Sequence, residues 1–104
     1  MKNMATPEAQ ALQAITEYLT RRKHCFWRNN SGATRTASGG FIRFGTPGSP
    51  DICLIKNGFF IGLEVKAKAG TQSPDQKAFE ASVKAAGGEY YIVHDIGEVQ
   101  QIGL

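Results

Sequence analysis

The sequence predicts an α/β fold, and three features carry that prediction. An amphipathic helix pattern opens the chain, an Asn57-Gly58 turn separates two apolar runs, and a well-capped second helix precedes a last strand. At 104 residues there is room for one hydrophobic core, so a single domain over residues 1–104 is expected. Such a core is modest, and pairing with a second copy would enlarge it.

Residues 6–23 have the pattern of the first helix. Thr6 can cap it, Pro7 suits the first helical position and Glu8 complements the dipole. Leu12, Ile15 and Leu19 form its apolar stripe, with Tyr18 at the flank. Glu8 stands four residues before Leu12 and so extends that inward stripe, whereas Glu17 points elsewhere. Residues 24–29 are expected to form a strand, and residues 29–40, small, polar and glycine-rich, a flexible loop carrying Arg35. Phe41–Phe44 can form a short strand, and the glycine and proline of residues 45–50 mark a tight turn. Residues 51–56 and 59–66 flank Asn57-Gly58, the strongest short-range hairpin signal. After a loop at 67–72, Ser73-Pro74-Asp75-Gln76 makes a capping box with proline at the first helical position. Phe79, Val83 and Ala86 give this second helix an apolar face, and Gly87-Gly88 ends it. Gln76 falls on the same inward stripe. Residues 90–94 read as a final strand and 97–104 as a short terminal helix.

Hydrophobic residues make up 41% of the chain, an ordinary globular value. No apolar run approaches the roughly 20 residues needed to span a bilayer, and Gln10, Gln13, Thr16 and Glu17 interrupt any signal-peptide core. A cytoplasmic protein without membrane contact is expected. Cys25 and Cys53 lack the partners a zinc site needs and are expected to be buried thiols. Charge divides unevenly. Lys2, Arg21, Arg22, Lys23, Arg28, Arg35 and Arg43 against Glu8 and Glu17 give residues 1–50 a net charge of +5; five lysines against seven acids leave residues 51–104 at −2. A basic surface beside an acidic centre suits a polyanion. Arg35 and Lys68 are the foremost phosphate-contact candidates, followed by Arg43 and Arg28. Trp27 and Phe26 are expected in the core or a dimer contact, and His24 and His94 have no convergent partner.

The chemistry lies in the hairpin. A two-residue turn at Asn57-Gly58 opposes Lys56 to Phe59, Ile55 to Phe60, Cys53 to Gly62 and Asp51 to Glu64. Directly opposed residues hold their Cβ atoms ~4.5–5.5 Å apart. Two carboxylates that close repel unless a divalent cation reverses the sign, and magnesium prefers a few carboxylates plus waters. Alternation puts Lys66 on the face of Glu64, one repeat along the strand. Gly62 is expected to leave space beside Glu64 for a ligand. Such a group can hydrolyse a phosphodiester. A metal on Asp51 and Glu64 activates water, Lys66 meets developing negative charge, and Glu8 completes the outer shell. A surface salt-bridge cluster is the bland alternative.

These residues resemble a known family. Residues 45–51 (GTPGSPD), residues 62–66 (GLEVK) and residues 73–76 (SPDQ) are similar to the virus-type replication-repair nucleases, VRR-NUC, of the PD-(D/E)XK superfamily. The likeness runs from Glu8 to about His94. It implies a restriction-endonuclease-like core, a mixed β-sheet flanked by helices in the order α-β-β-β-α-β. It implies Mg2+, with Mn2+ as a substitute, bound by Asp51, Glu64 and the Val65 carbonyl, and it gives Glu8 and Gln76 the places of the helical acid and glutamine. It further implies a bacterial or phage-encoded homodimer acting on branched DNA such as a Holliday junction. Three functions follow for testing: a structure-selective endonuclease, on four-way junctions or on flaps and other branched DNA; a non-catalytic nucleic-acid-binding module on the same fold; and an interaction protein with incidental charges.

Overall fold

Thr6 and Ser73, each followed by proline, start the two longer helices in the computed structural model, which describes residues 5–104. The elements in chain order are α1 (Pro7–Arg21), β1 (Cys25–Arg28), β2 (Gly32–Arg35), β3 (Phe41–Phe44), β4 (Ile52–Lys56), β5 (Phe59–Val65), α2 (Pro74–Ala85), β6 (Glu89–Val93) and α3 (Ile96–Ile102). The main sheet has the order β1-β4-β5-β6 and is mixed: β1, β4 and β5 run antiparallel, and β6 joins β5 in parallel through the α2 crossover. The protein is therefore an α/β fold with a mixed sheet and three helices.

Alternation along β4 and β5 gives the sheet two unlike faces. Leu54, Ile61, Leu63 and Val65 meet Ile15 and Leu19 of α1, Val99 of α3 and Leu104, and these side chains are almost wholly buried. At ~25 cal/mol per Å2 of apolar surface, this layer supplies most of the driving force for folding. α2 lies on the other face, where Phe79 meets Tyr90 with ring centroids 6.4 Å apart. None of its residues is fully buried. A capping box, proline at the helix start and a Ser82 to Gly88 exit secured by backbone hydrogen bonds hold it instead.

Several elements differ from the expectation. α1 stops at Arg21, because Lys23 takes a left-handed φ of 61°. The segment expected as a loop contains β2, which pairs with β3 in a separate two-stranded sheet. No apolar alternation announced that strand, since its residues are held by cross-strand pairing alone. Asp51 and Lys66 lie just outside β4 and β5 rather than within them. β6 begins and ends one residue earlier than expected, and α3 starts at Ile96 with Asp95 as its cap. Cys53 is buried, but Cys25 on the edge strand is exposed. Phe26 packs on the core, whereas Trp27, one residue on, faces the other way and is 48% exposed.

Candidate active site

The hairpin register is the one the turn dictates: Cys53 opposes Gly62, Ile55 opposes Phe60 and Lys56 opposes Phe59. Asn57 and Gly58 take positive φ values of 54° and 83°, as a two-residue turn with matching twist requires. Continuing that register past Ile52 brings Asp51 to the end of the sheet beside Glu64. Asp51 Oδ2 accepts the Val65 N–H at 2.8 Å, so the aspartate is tied to the neighbouring strand end.

Glu64 is only 4% exposed, the one buried charged residue among those described. Gln76 Nε2 donates to its Oε2 at 3.0 Å, and Lys66 Nζ is 3.8 Å from the same oxygen, its side chain 14% exposed. This burial excludes a solvated surface salt bridge. Gln76 has no freedom to turn its amide over: its Oε1 accepts the Ser73 N–H at 2.9 Å while the Ser73 hydroxyl accepts the Gln76 N–H at 3.2 Å. The capping box that starts α2 thus also aims an N–H at the carboxylate.

The loop before Asp51 sets the spacing. Gly48 has a φ of 80°, and a Cβ there would lie 2.1 Å from the Asp75 carbonyl oxygen, so only glycine lets the loop close on the first turn of α2. Pro50, fully buried, covers Gly62; a Cβ on Gly62 would come within 2.8 Å of the proline ring. The space expected beside Glu64 is therefore filled by the chain itself. Tyr90, 2% exposed, closes the floor and donates its hydroxyl to the Gly48 carbonyl at 3.4 Å.

Burial pushes the Glu64 carboxyl up to about 8; the Asp51 charge and a hydrogen bond between the two carboxyls add to this, Lys66 opposes it, and Glu8 raises it weakly. The Glu64 carboxyl therefore takes up a proton more readily than a solvated one. Burial, then the charges of Glu64, Glu80 and Asp51, also raises the Tyr90 phenol, which stays a neutral donor.

Of the residues expected at the site, Asp51, Glu64, Lys66 and Gln76 come together. Val65 turns its side chain into the core and meets Asp51 through its N–H. Glu8 is exposed, and it acts on Glu64 through charge at a distance. Among the described residues no group of three or more His, Cys, Asp or Glu side chains forms a metal cluster. Arg28, Arg35, Arg43 and Lys68 are all exposed and available to a polyanion. His94 does have a partner, Glu98, with Nδ1 2.8 Å from Oε1, but both belong to the start of α3. Tyr90 and Gly48 were missed. Their signal lies in the parallel register of β6 and in the loop-helix contact, neither of which the sequence displays. No helix of the described residues is long and apolar enough to cross a membrane. Compared with known proteins, the chain matches no family model and no curated relative.

Proposed function

We propose that the protein is a metal-dependent endonuclease of the PD-(D/E)XK type, in the VRR-NUC branch, that hydrolyses phosphodiester bonds in branched DNA as a homodimer. The observation that carries this reading is the buried Glu64 carboxylate with Asp51, Lys66 and Gln76 gathered around it. A carboxyl pair held together at such an electrostatic cost fits a hard divalent cation that keeps most of its waters. Asp51 and Glu64 would hold Mg2+ or Mn2+, with the Val65 carbonyl at the same strand end as a further oxygen. A cation held by these residues would supply a more acidic bound water and positive charge for the phosphate.

The chain's own residues do the rest. Gln76, fixed by Ser73, keeps one Glu64 oxygen in place. Asp51 is anchored on the Val65 N–H, which fixes the orientation of its carboxylate beside Glu64. Lys66 brings an ammonium to the rim of the pair, where it can face the nonbridging oxygens of the scissile phosphate. Glu8 adds negative potential from α1, which would strengthen cation binding, directly or through a water. Arg28, Arg35, Arg43 and Lys68 supply the sequence-independent phosphate contacts.

The test is cleavage of a labelled four-way junction, a flap and a linear duplex with Mg2+, with Mn2+ and with chelator, using the whole chain and its Glu64→Gln variant. Metal-dependent cutting that the variant loses supports the reading. Tight junction binding without cutting in either metal points to the non-catalytic module instead.

A further inference from the structure

Away from the site, the β2–β3 hairpin is the least explained part of the molecule. Among the described residues it forms a sheet of its own, hydrogen-bonded to no strand of the main sheet. Every residue of both strands is exposed, Phe41 by 66%, Ile42 by 55% and Phe44 by 45%. A lone hairpin is marginal in water, and exposed aromatics of this size mark a contact surface. Opposed residues share a face, so the register sorts them. Arg35, Phe41, Ala33 and Arg43 lie on one face; Thr34, Ile42, Gly32 and Phe44 lie on the other. The Arg35 guanidinium sits over the Phe41 ring, 5.0 Å from its centroid.

The arm is rooted at the site. The Asn29 N–H donates to the Asp51 carbonyl at 2.8 Å, and its side-chain amide donates to Ser49 Oγ at 2.8 Å and to the Pro50 carbonyl at 2.9 Å. At the other root, Gly45 has a φ of 72°, and a Cβ there would lie 2.5 Å from the Asn30 carbonyl oxygen. From Tyr18 to Pro50 the sequence holds Arg21, Arg22, Lys23, Arg28, Arg35 and Arg43, and no acid. That charge selects a polyanion over a second copy of the same face, which would oppose Arg35 and Arg43 to themselves.

We propose that the β2–β3 arm binds DNA where its strands part, with Arg35 and Arg43 on phosphates and the Phe41 ring stacked on an unpaired base next to the cleavage site. The proposal rests on the nuclease reading and names its substrate more closely. A stackable base face is free at a junction, flap or loop, whereas inside a duplex both faces are occupied.

The experiment measures binding of the whole chain, in chelator, to a four-way junction carrying 2-aminopurine at the branch and to a linear duplex of the same length. Phe41→Ala weakens junction binding about tenfold or more, changes duplex binding less than twofold and abolishes the 2-aminopurine signal, while Phe41→Trp restores all three. Arg35→Ala and Arg43→Ala weaken both substrates, each lowering the salt slope by about one. Unchanged junction affinity and 2-aminopurine signal in Phe41→Ala overturn the proposal, as does loss of self-association in that variant with DNA binding intact. Cutting in Mg2+ is read separately. If Phe41→Ala shows the expected binding loss but no preparation cuts, the arm stands and the nuclease reading falls; if cutting survives with unaltered binding, only the arm falls.

Discussion

The two faces of the central sheet are built on opposite terms. On the side of α1 and α3, Ile15, Leu19, Leu54, Leu63, Val65 and Val99 are packed to almost zero exposure with no charge among them. On the side of α2, the helix buries none of its residues fully, and the sheet beneath it holds a buried carboxylate. A fold does not need Glu64 there, and an apolar residue of similar size would be cheaper to bury. Stability comes from one face, while the other is kept polar at stability's expense.

Substitutions can break this contrast, and the largest effect is expected on the polar side. Glu64→Gln should reduce cutting by about a thousandfold or more, which is roughly 4 kcal/mol of transition-state stabilisation. The same change should make the metal-free protein more stable, by on the order of 2 kcal/mol at pH 8. Single-turnover cleavage and chemical denaturation in chelator measure the two. On the apolar side, Leu63→Ala should lower stability by about 2–5 kcal/mol. Its activity per folded molecule should stay near that of the wild type, and denaturation together with cleavage at low temperature checks both.

Gly48→Ala tests how the loop holds α2 on the polar side. Its Cβ would strike the Asp75 carbonyl, so α2 must shift, at about 1–3 kcal/mol, and Gln76 must leave Glu64. Cleavage should fall even where the protein remains folded. Ser73→Ala is milder: loss of the hydroxyl cap costs about 1 kcal/mol, but the Ser73 N–H that holds Gln76 Oε1 survives, so the cleavage rate should change little and Ser73→Thr should restore the stability.

Acidity separates the faces once more. The folded carboxyl of Glu64 titrates near 8, above its ordinary 4.5, so the folded state holds this proton more tightly than the unfolded chain. Its contribution is most favourable below pH 4.5, falls as pH rises from there to about 8, and is level above that. Denaturation midpoints of wild type in chelator should drop across this window relative to those of Glu64→Gln.

The apolar face and the hairpin were legible in the sequence because both rest on local rules. Apolar spacing placed Ile15 and Leu19, and Asn57-Gly58 fixed the register that carries Asp51 to Glu64. Gln76 was legible for the same reason, as its capping-box position also sets its phase. What stayed hidden depends on contacts between distant segments. β2 exists only because Phe41–Phe44 pairs with it. Pro50 occupies the room above Gly62, and Tyr90 arrives through the parallel crossover. Alternation places Trp27 on the face of Cys53 and Gly62, where α2 leaves its ring exposed. The reach of Glu8 depends on where α1 crosses the sheet, which helix phase does not specify.

The most direct test of the central claim is a Mn2+ titration followed by the EPR signal of the free ion, on wild type and on Asp51→Asn and Glu64→Gln. The account predicts a saturable site that Mg2+ competes for and that either substitution removes. Equal Mn2+ binding by all three proteins, or none by the wild type, would contradict it.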